Sequence, residues 1–586
     1  MSSSSPMLRE ESRGPAERAI PLMVTILVAL AVHAPLLMMQ LPNRSYDANF
    51  HKFFASHYAS HWFSLWDERW FTGFNTATYP PLGHQLIAIF SHPIGPDMAY
   101  SLVQLLGIVL LPIGMYRFAR LWVSERAASY AALGSVLLGS LAFLVYQSGQ
   151  LSTTLAAPLY LNALPYFHEW MTRGRMRSFL KGVLLATAAA GVHHVTLLFG
   201  SFLFAIPVIW LAFQERREES DSVGGLVSRL LAFVAAAGVG ITLALLPYWI
   251  ALINNPIKQM PIPHASRDNF LQQPIWGVNF WVIPFGALVL ALPWIFWKGA
   301  TERRLRPLFF GFWVALLFGL GGTTPVPRWI LGRAFYVLTF ERFNFWATLL
   351  ALPIVALLAV KIVDRYKRAG MVAVSVAGIV SVGAALGWMT WYPLNTAQFD
   401  VEPVINFLNR DNHDRFRYMT LGFGPLMSKV SVGAKASSVD GEYNSARLLP
   451  EMTPYGAAQF TNSKYFGTSG MEALRAILRH ANRYGLRYIF VRDRYYEPLL
   501  AFAGWRRSET YNNGQITLWT KDDVPPARPI EFGDKPPAWQ GVMWGILPMG
   551  SMVLALVAIL LLPDRRRDSQ MLEFPAAEGA YLREAK

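Results

Sequence analysis

Asp47 and His51 stand four residues apart in the stretch SYDANFHKFF, just after the first long apolar run of the chain. On a helix the two share a face. A positioned carboxylate can take a proton as a general base, and an imidazole one turn away can orient it. The alternative for Asp47 is an acid at a helix N-terminus that stabilises the helix dipole. The alternative for His51 is one more ring among Phe50, Phe53, Phe54, Tyr58, Trp62 and Phe63. Those rings suit an amphipathic helix lying along a membrane interface. The stretch ends in TYPPLGHQL, where Pro80-Pro81 suits the first turn of the next helix, since missing amide donors cost little there.

Other chemistry-bearing residues are sparse. His193-His194 precede Thr196. Adjacent histidines on a helix point to different faces, which disfavours a two-ligand metal site; one of them can line a cavity or cap a helix end. Arg328, Arg333 and Arg342 cluster before a late apolar run, with Glu341 as a ready partner. In SSVDGEYN, Asp440 and Glu442 either bind a ligand or build a turn on Asp-Gly. There is no cysteine, so disulfides, zinc-thiolate sites and a thiol nucleophile are excluded. No phosphate-binding loop, dinucleotide fingerprint or G-x-S-x-G motif occurs.

The elements that must position these residues follow from composition. Of 586 residues, 53% are hydrophobic and 15% charged, against about 25% charged in soluble domains. This is the composition of a polytopic membrane protein. Apolar runs fall at Ile20–Leu41, Met98–Leu121, Ala127–Tyr146, Thr153–Trp170, Phe179–Val195, Leu197–Phe213, Val227–Ile253, Val278–Trp297, Leu308–Gly322, Phe343–Val363, Met371–Trp391 and Val542–Leu562. They make about twelve expected membrane helices. Arg9, Arg13 and Arg18 precede the first, which is read as a retained anchor because Pro35 follows its possible cleavage site.

Basic residues alternate between the connections. One set holds Arg117, Arg120 and Arg126; Arg173, Arg175, Arg177 and Lys181; Arg216, Arg217 and Arg229; Lys298, Arg303, Arg304 and Arg306; Lys361, Arg365, Lys367 and Arg368; and Arg565–Arg567. The short opposite connections, Gln147–Ser152 and His193–Thr196, hold none. The positive-inside rule therefore puts residues 1–19 and 564–586 in the cytoplasm. It puts the loop 43–84, the loops Asn254–Gly277 and Gly322–Arg342, and the segment 393–537 on the outer face. The net charge of +15 follows from this flanking pattern, and nucleic acid is not an expected partner.

The segment 393–537 has soluble-domain patterning. Glu402–Asn409 reads as a helix and Arg417–Gly422 as a strand. Met471–Tyr484 reads as a helix ended by Gly485, Leu486–Val491 as a buried strand, and Ser508–Thr520 as a hairpin around Asn-Gly. The expected fold class is thus an all-α polytopic membrane protein, with a transmembrane domain over 20–392, a small outer α/β domain over 393–537 and a last span within 538–563.

This layout resembles the GT-C superfamily of membrane glycosyltransferases, in which a long first outer loop opens with an acid and ends in a Tyr-Pro-Pro-like entry to the next helix. The motifs SYDANFHKFF, TYPPLGHQL and FERFNF are also similar to a bacterial group labelled as related to 6-pyruvoyl-tetrahydropterin synthase, although no pterin chemistry is visible in the residues. The resemblance implies transfer of a sugar from a polyprenyl-phosphate carrier to an acceptor at the outer face of a bacterial inner membrane. It implies an inverting single displacement with Asp47 as base and His51 beside it. Arg342, Arg333, Arg328, His193 and His194 are then the expected contacts of the donor phosphate and lipid, and Asp67 and Glu68 those of sugar or acceptor. Lys258, His264, Arg267 and Asp268 lie in the loop that often orders over the donor in this superfamily. Its metal-dependent oligosaccharyltransferases carry an acidic pair in the second outer loop; here Tyr146–Thr154 has no carboxylate, so no cofactor is expected and a divalent metal is doubtful. Two other readings remain open: a glycan transporter or assembly protein on the same scaffold, and a polymerase of lipid-linked polysaccharide.

Overall fold

The computed structural model describes residues 19–218, 223–254, 260–395, 398–530, 532 and 535–562. Arg9, Arg13, Arg18, Lys258 and Arg565–Arg567 lie outside them, as do the side chains of Arg216 and Arg217. The protein is a helical bundle carrying one small sheet domain.

Every expected apolar run falls on helix, beginning with α1 (Leu22–Met38). Six helices of the described residues are long and apolar enough to cross a membrane. That measure stops short of twelve for physical reasons. Leu22–Met38 and Arg306–Gly319 are short, and Pro274–Phe285 and Leu288–Thr301 meet at a 70° bend. The helix Leu151–Arg173 carries buried Ser152, Thr153, Thr154 and Asn162, which dilute its hydropathy. The 51-residue run Glu341–Trp391 is two helices joined at Lys367, whose φ of 51° breaks the path between the expected runs. Large apolar side chains such as Leu231, Leu290, Val372 and Leu560 stand exposed on the bundle, as a lipid-facing surface requires.

The basic connections meet at one end of the bundle. Arg126 pairs with Asp364 at 2.7 Å, and Arg304 pairs with Glu215 at 2.8 Å while donating to the carbonyl of Leu121. These contacts tie the ends of five helices together.

At the other end the first outer loop folds into α2 (Ala48–Ser60), a two-residue ladder of β1 (Trp66–Asp67) with β2 (Phe74–Asn75), and α3 (Leu82–Ile94), which starts directly after Pro80-Pro81. A further helix, α4 (Pro96–Ala119), then runs the depth of the bundle. The aromatic face expected along a membrane interface is instead roofed by protein. Phe50, Phe53, Phe54, Trp70, Phe71 and Phe74 share one buried cluster with the core of the outer domain. The ring of Phe53 stacks on Trp70 with centroids 3.5 Å apart. The end of α2 and the residues after it meet the bundle's last helix, Ala538–Leu561, where Trp544 donates to the hydroxyl of Tyr58 at 2.9 Å and Trp62 donates to the carbonyl of Gly545.

The outer domain is built around a four-stranded sheet of β3 (Arg417–Leu421), β4 (Leu486–Val491), β5 (Arg506–Tyr511) and β6 (Ile516–Thr520), in the order β3-β4-β6-β5. β3 and β4 are parallel and the rest antiparallel. Parallel pairing demands a long crossover. Here it includes the helices Leu426–Gly433 and Gly467–Arg479. Gly485 ends the second helical piece in the left-handed region, at φ 63°. The expected hairpin closes through a four-residue loop, since Tyr511 pairs with Ile516, and Asn512, Asn513 and Gly514 all take positive φ.

Candidate active site

Asp47 is the residue that opens α2. Its amide donates to the carbonyl of Ser148 at 2.9 Å, and the amide of Tyr46 donates to that of Gln147 at 3.0 Å. The carboxylate itself is half-buried, and among the described residues no donor hydrogen-bonds it. Four elements surround it. Glu341 and Arg342 come from the start of the long helix, Glu442 from the outer domain, Tyr79 from the end of the first outer loop and Tyr100 from α4.

Burial raises the Asp47 carboxyl to about 7, with Glu341 adding and Arg342 opposing. Burial also raises Glu442 well above the ordinary range, and Asp47 adds to it. Both carboxyls thus hold their protons more tightly than in water, while Glu442 accepts from the hydroxyl of Ser428. His51 is pushed down to about 3 by burial, against a hydrogen bond with the backbone of Gly149. Its Nδ1 lies 2.9 Å from Nε2 of His84, so one neutral ring donates to the other. Tyr79 faces Ser152 across 3.0 Å, and burial lifts its hydroxyl to about 12.

Arg342 is the cation of this recess. It donates to the hydroxyl of Thr339 at 2.7 Å, while its Nε is buried with no partner. Its charge bears on Asp47, Tyr79, His193 and His194. Glu341 accepts from Gln150, and its second oxygen is also buried and unpaired. Orphaned buried polar atoms of opposite sign on adjacent residues call for a partner such as a bound ion, water or substrate. His193 sits at the break between Met176–Val192 and the next helix, with Nδ1 2.7 Å from the hydroxyl of Thr196. His194 turns the other way, toward the hydroxyl of Tyr248 at 3.4 Å.

Other expected site residues are placed elsewhere. Asp67 is fully engaged: Arg69 binds it at 2.6 Å and His57 Nδ1 lies 3.1 Å away. Burial alone would raise its carboxyl, but Arg69 and His57 outweigh that and hold it well below the ordinary value. His57 is ten residues beyond Asp47 on α2, which puts Asp67 roughly 15 Å from Asp47 along the helix. Glu68 is exposed and lines a separate cleft of about 210 Å³ with Trp66, Arg415 and Arg417. Arg328 and Arg333 are exposed at the rim of the loop. Arg328 lies over the ring of Tyr336. Asp440 is consumed by Ser438 and the amide of Phe460, at 2.8 and 2.9 Å. His264 bonds Ser266 and, with Arg342, faces Glu341, while Arg267 donates to the carbonyl of Leu338 at 2.7 Å.

His84, Tyr79 and Gln150 were not singled out from sequence. His84 and Tyr79 stand inside TYPPLGHQL, two polar rings in a proline-rich entry, and that spacing is the available signal; His84 is buried and Tyr79 half-buried. Among the described residues no group of three or more histidines or carboxylates is arranged to hold a metal ion. In the second outer loop the carbonyls of Gln147 and Ser148 are taken by the amides of Tyr46 and Asp47.

No family model matches the chain, and no curated protein matches it. Solved structures do. The apo oligosaccharyltransferase of Archaeoglobus fulgidus aligns with a TM-score of 0.52 at 11% identity over 86% of this chain and 75% of that one. ArnT from Cupriavidus metallidurans, captured with undecaprenyl phosphate, aligns at 0.53 and 10% identity over 86% and 99%. The arabinofuranosyltransferase AftD from Mycobacteria aligns at 0.51 and 15% identity, this chain spanning 40% of its length. The narrower likeness to the pterin-synthase-related group rests on the short motifs alone. The chain has the fold of the GT-C membrane glycosyltransferases.

Proposed function

We propose that the protein transfers a sugar from a polyprenyl-phosphate carrier to an acceptor at the outer face of the membrane, by a single displacement with inversion. The observation that carries this reading is the electrostatic coupling of Asp47 to Arg342, of Arg342 to His193, and of Asp47 to Glu442 of the sheet domain. Asp47 accepts the proton of an acceptor hydroxyl or amide. The acceptor atom bonds to the anomeric carbon as the bond from that carbon to the phosphate oxygen breaks. The electron pair leaves with the polyprenyl phosphate, and Arg342 balances the charge gathering on its oxygens. The unpaired Nε of Arg342 is a donor free for that purpose. His193 flanks the phosphate, and the rim arginines Arg328 and Arg333 meet headgroups of lipid or carrier.

In this reading the bundle crosses the membrane about twelve times. Both termini are cytoplasmic, the basic end faces the cytoplasm, and the sheet domain stands outside. ArnT, of the same fold, holds undecaprenyl phosphate, which supports a lipid-linked donor here.

The test is transfer of labelled sugar from polyprenyl-phosphate donors by the full-length protein in liposomes, for the wild type and Asp47→Asn. Transfer should fall by at least about a hundredfold, the lower range for loss of general base catalysis. Unchanged transfer by the variant would remove Asp47 as the base. Movement of the lipid-linked donor with no transfer would favour a transporter.

A further inference from the structure

We infer that the short second outer loop, through Gly149 and the two carbonyls ahead of it, is the device that positions Asp47; this rests on the function proposed above. The carboxylate of Asp47 has no hydrogen-bond donor among the described residues, so its place is set through the backbone. That backbone is held on one side by the carbonyls of Gln147 and Ser148. These are the final residues of a π-helical turn, Phe143–Ser148. The last carbonyls of a helix have no partner within it, and π turns recur at functional sites for this reason among others. The amides of Tyr46 and Asp47 take the two carbonyls that the turn leaves open.

The turn is itself anchored. Tyr146 donates its hydroxyl proton to His33 Nδ1 in α1 at 2.8 Å, and His33 Nε2 donates to the carbonyl of Val136 at 2.8 Å. Gln147 donates to the carbonyl of Tyr392 at 2.9 Å. Gln150 folds back through its amide onto the carbonyl of Leu144 and reaches Glu341 with its side chain. The clamp therefore locks Asp47 to the helix that carries Glu341 and Arg342.

Gly149 is what lets the two strands of chain close up. It takes φ +76°, and a Cβ there would lie 2.4 Å from Oγ of Ser45, 3.1 Å from Cβ of Ser45 and 3.0 Å from the amide nitrogen of Asp47. Any side chain must displace the hydroxyl of Ser45 and press on the amide of Asp47. The short loop thus serves as a backbone clamp.

The experiment uses the full-length protein in liposomes with a labelled polyprenyl-phosphate sugar. Gly149→Ala should lower kcat about a hundredfold, the scale of a 1 Å misplacement, with the donor KM nearly unchanged. Its acid limb in the pH profile should move from about 7 down toward the ordinary carboxylate range, because an acid pushed toward solvent loses the burial that raised it. A lesion that merely loosens the fold would leave that limb in place. Adding Ser45→Gly removes two of the three contacts and should recover at least about tenfold of the lost rate. Gly149→Asn keeps the Cβ contact in a residue that tolerates left-handed backbone, and it serves where the alanine variant does not fold. Wild-type rate and pH profile in either Gly149 variant would overturn the clamp, as would a loss that Ser45→Gly leaves untouched. If Asp47→Asn retains full transfer, the catalytic reading fails instead. If Asp47→Asn is inactive while Gly149→Ala is normal, only the clamp fails.

Discussion

Tyr443 in the outer domain donates its hydroxyl proton to the carbonyl of Thr78 in the first outer loop, 2.6 Å away. Its ring lies 5.7 Å from Phe50, 5.8 Å from Phe54 and 5.5 Å from Tyr79. The neighbouring backbone adds a second tie, from the amide of Ser438 to the carbonyl of Arg69 at 2.8 Å. Glu442, directly before Tyr443, is thereby kept close enough for the charge of Asp47 to bear on it. The roof of the recess belongs to a different domain from its floor.

Tyr443→Phe should weaken this joint by about 1 kcal/mol, the net worth of one hydrogen bond. Tyr443→Ala should cost about 3 kcal/mol by removing a packed ring. Hydrogen exchange checks both: amides of α2 and of residues 437–447 should lose protection together in the alanine variant. Faster exchange on one side alone would mean that the two domains open independently of Tyr443.

Asp67 offers a contrast, because its acidity serves the fold. Breaking a buried ion pair from one side costs about 3–5 kcal/mol, so Asp67→Ala should lower the unfolding free energy by that amount. Its carboxyl is held below the ordinary value by Arg69 and His57 against the pull of burial. The sign follows: the stability it contributes is present above the ordinary carboxylate pKa and is lost as pH falls through its folded value. Wild type and variant should therefore converge in thermal stability in acid. Folded Asp67→Ala protein should keep its transfer rate within about threefold, a change of under 1 kcal/mol in barrier; a selective rise in acceptor KM would instead make Asp67 a substrate contact.

Much of this was legible where the signal was local. Leu486–Val491 reads as a buried strand because five of its six residues are apolar or aromatic, Arg487 being the exception, and Gly485 stops the helix before it because a left-handed cap favours glycine. Asp47 and His51 draw notice by spacing alone. The aromatic loop reads as an interfacial helix, yet much of its cover is the sheet domain, more than 350 residues away in the chain for Trp70 and Ser431. A ring on an amphipathic face looks the same whether lipid or protein covers it. Glu442 joins the recess for the same non-local reason, and Asp67 leaves it because His57 and Arg69 claim it first.

The three arginines of the last outer loop should separate sharply. Arg342 is the one whose charge reaches Asp47 and His193 and whose Nε is buried without a partner. Arg342→Gln should lower kcat/KM for transfer by about 10²–10³, the usual loss on removing one group that stabilises developing negative charge. Arg342→Lys should recover part of this, since a point charge remains but the fork is gone. Arg328→Gln and Arg333→Gln, at exposed positions, should each change it by less than about tenfold, under 1.4 kcal/mol. Equal losses at all three would put the donor phosphate at the rim.

The rate should depend on pH through Asp47. Its carboxyl titrates near 7, so kcat/KM for the wild type should fall on the acid side below about that pH and level off above it. Facing it are Glu341 and Arg342 on the long helix, Glu442 on the outer domain, Tyr79, Tyr100 and Tyr46. Glu341→Gln removes the facing acid whose charge raises Asp47 and should shift the limb downward, because a like charge no longer disfavours ionisation. A limb that stays fixed would detach Glu341 from Asp47.

A base held this way should also destabilise its own fold. The unfolded chain releases the Asp47 proton near the ordinary carboxylate pKa of about 3.9, while the folded chain holds it to about 7. Below both values the proton is bound in both states and the difference vanishes. As pH rises between them, the unfolded state gains from ionisation that the folded state forgoes, and above about 7 the penalty is complete. Asp47→Asn removes the titrating group without removing its bulk. The variant should therefore melt at higher temperature than the wild type at pH 8, with the gap closing toward pH 4, while its transfer activity is lost. Melting curves across that range decide it, and a variant no more stable than the wild type at pH 8 would mean that Asp47 ionises in the fold as freely as it does in water.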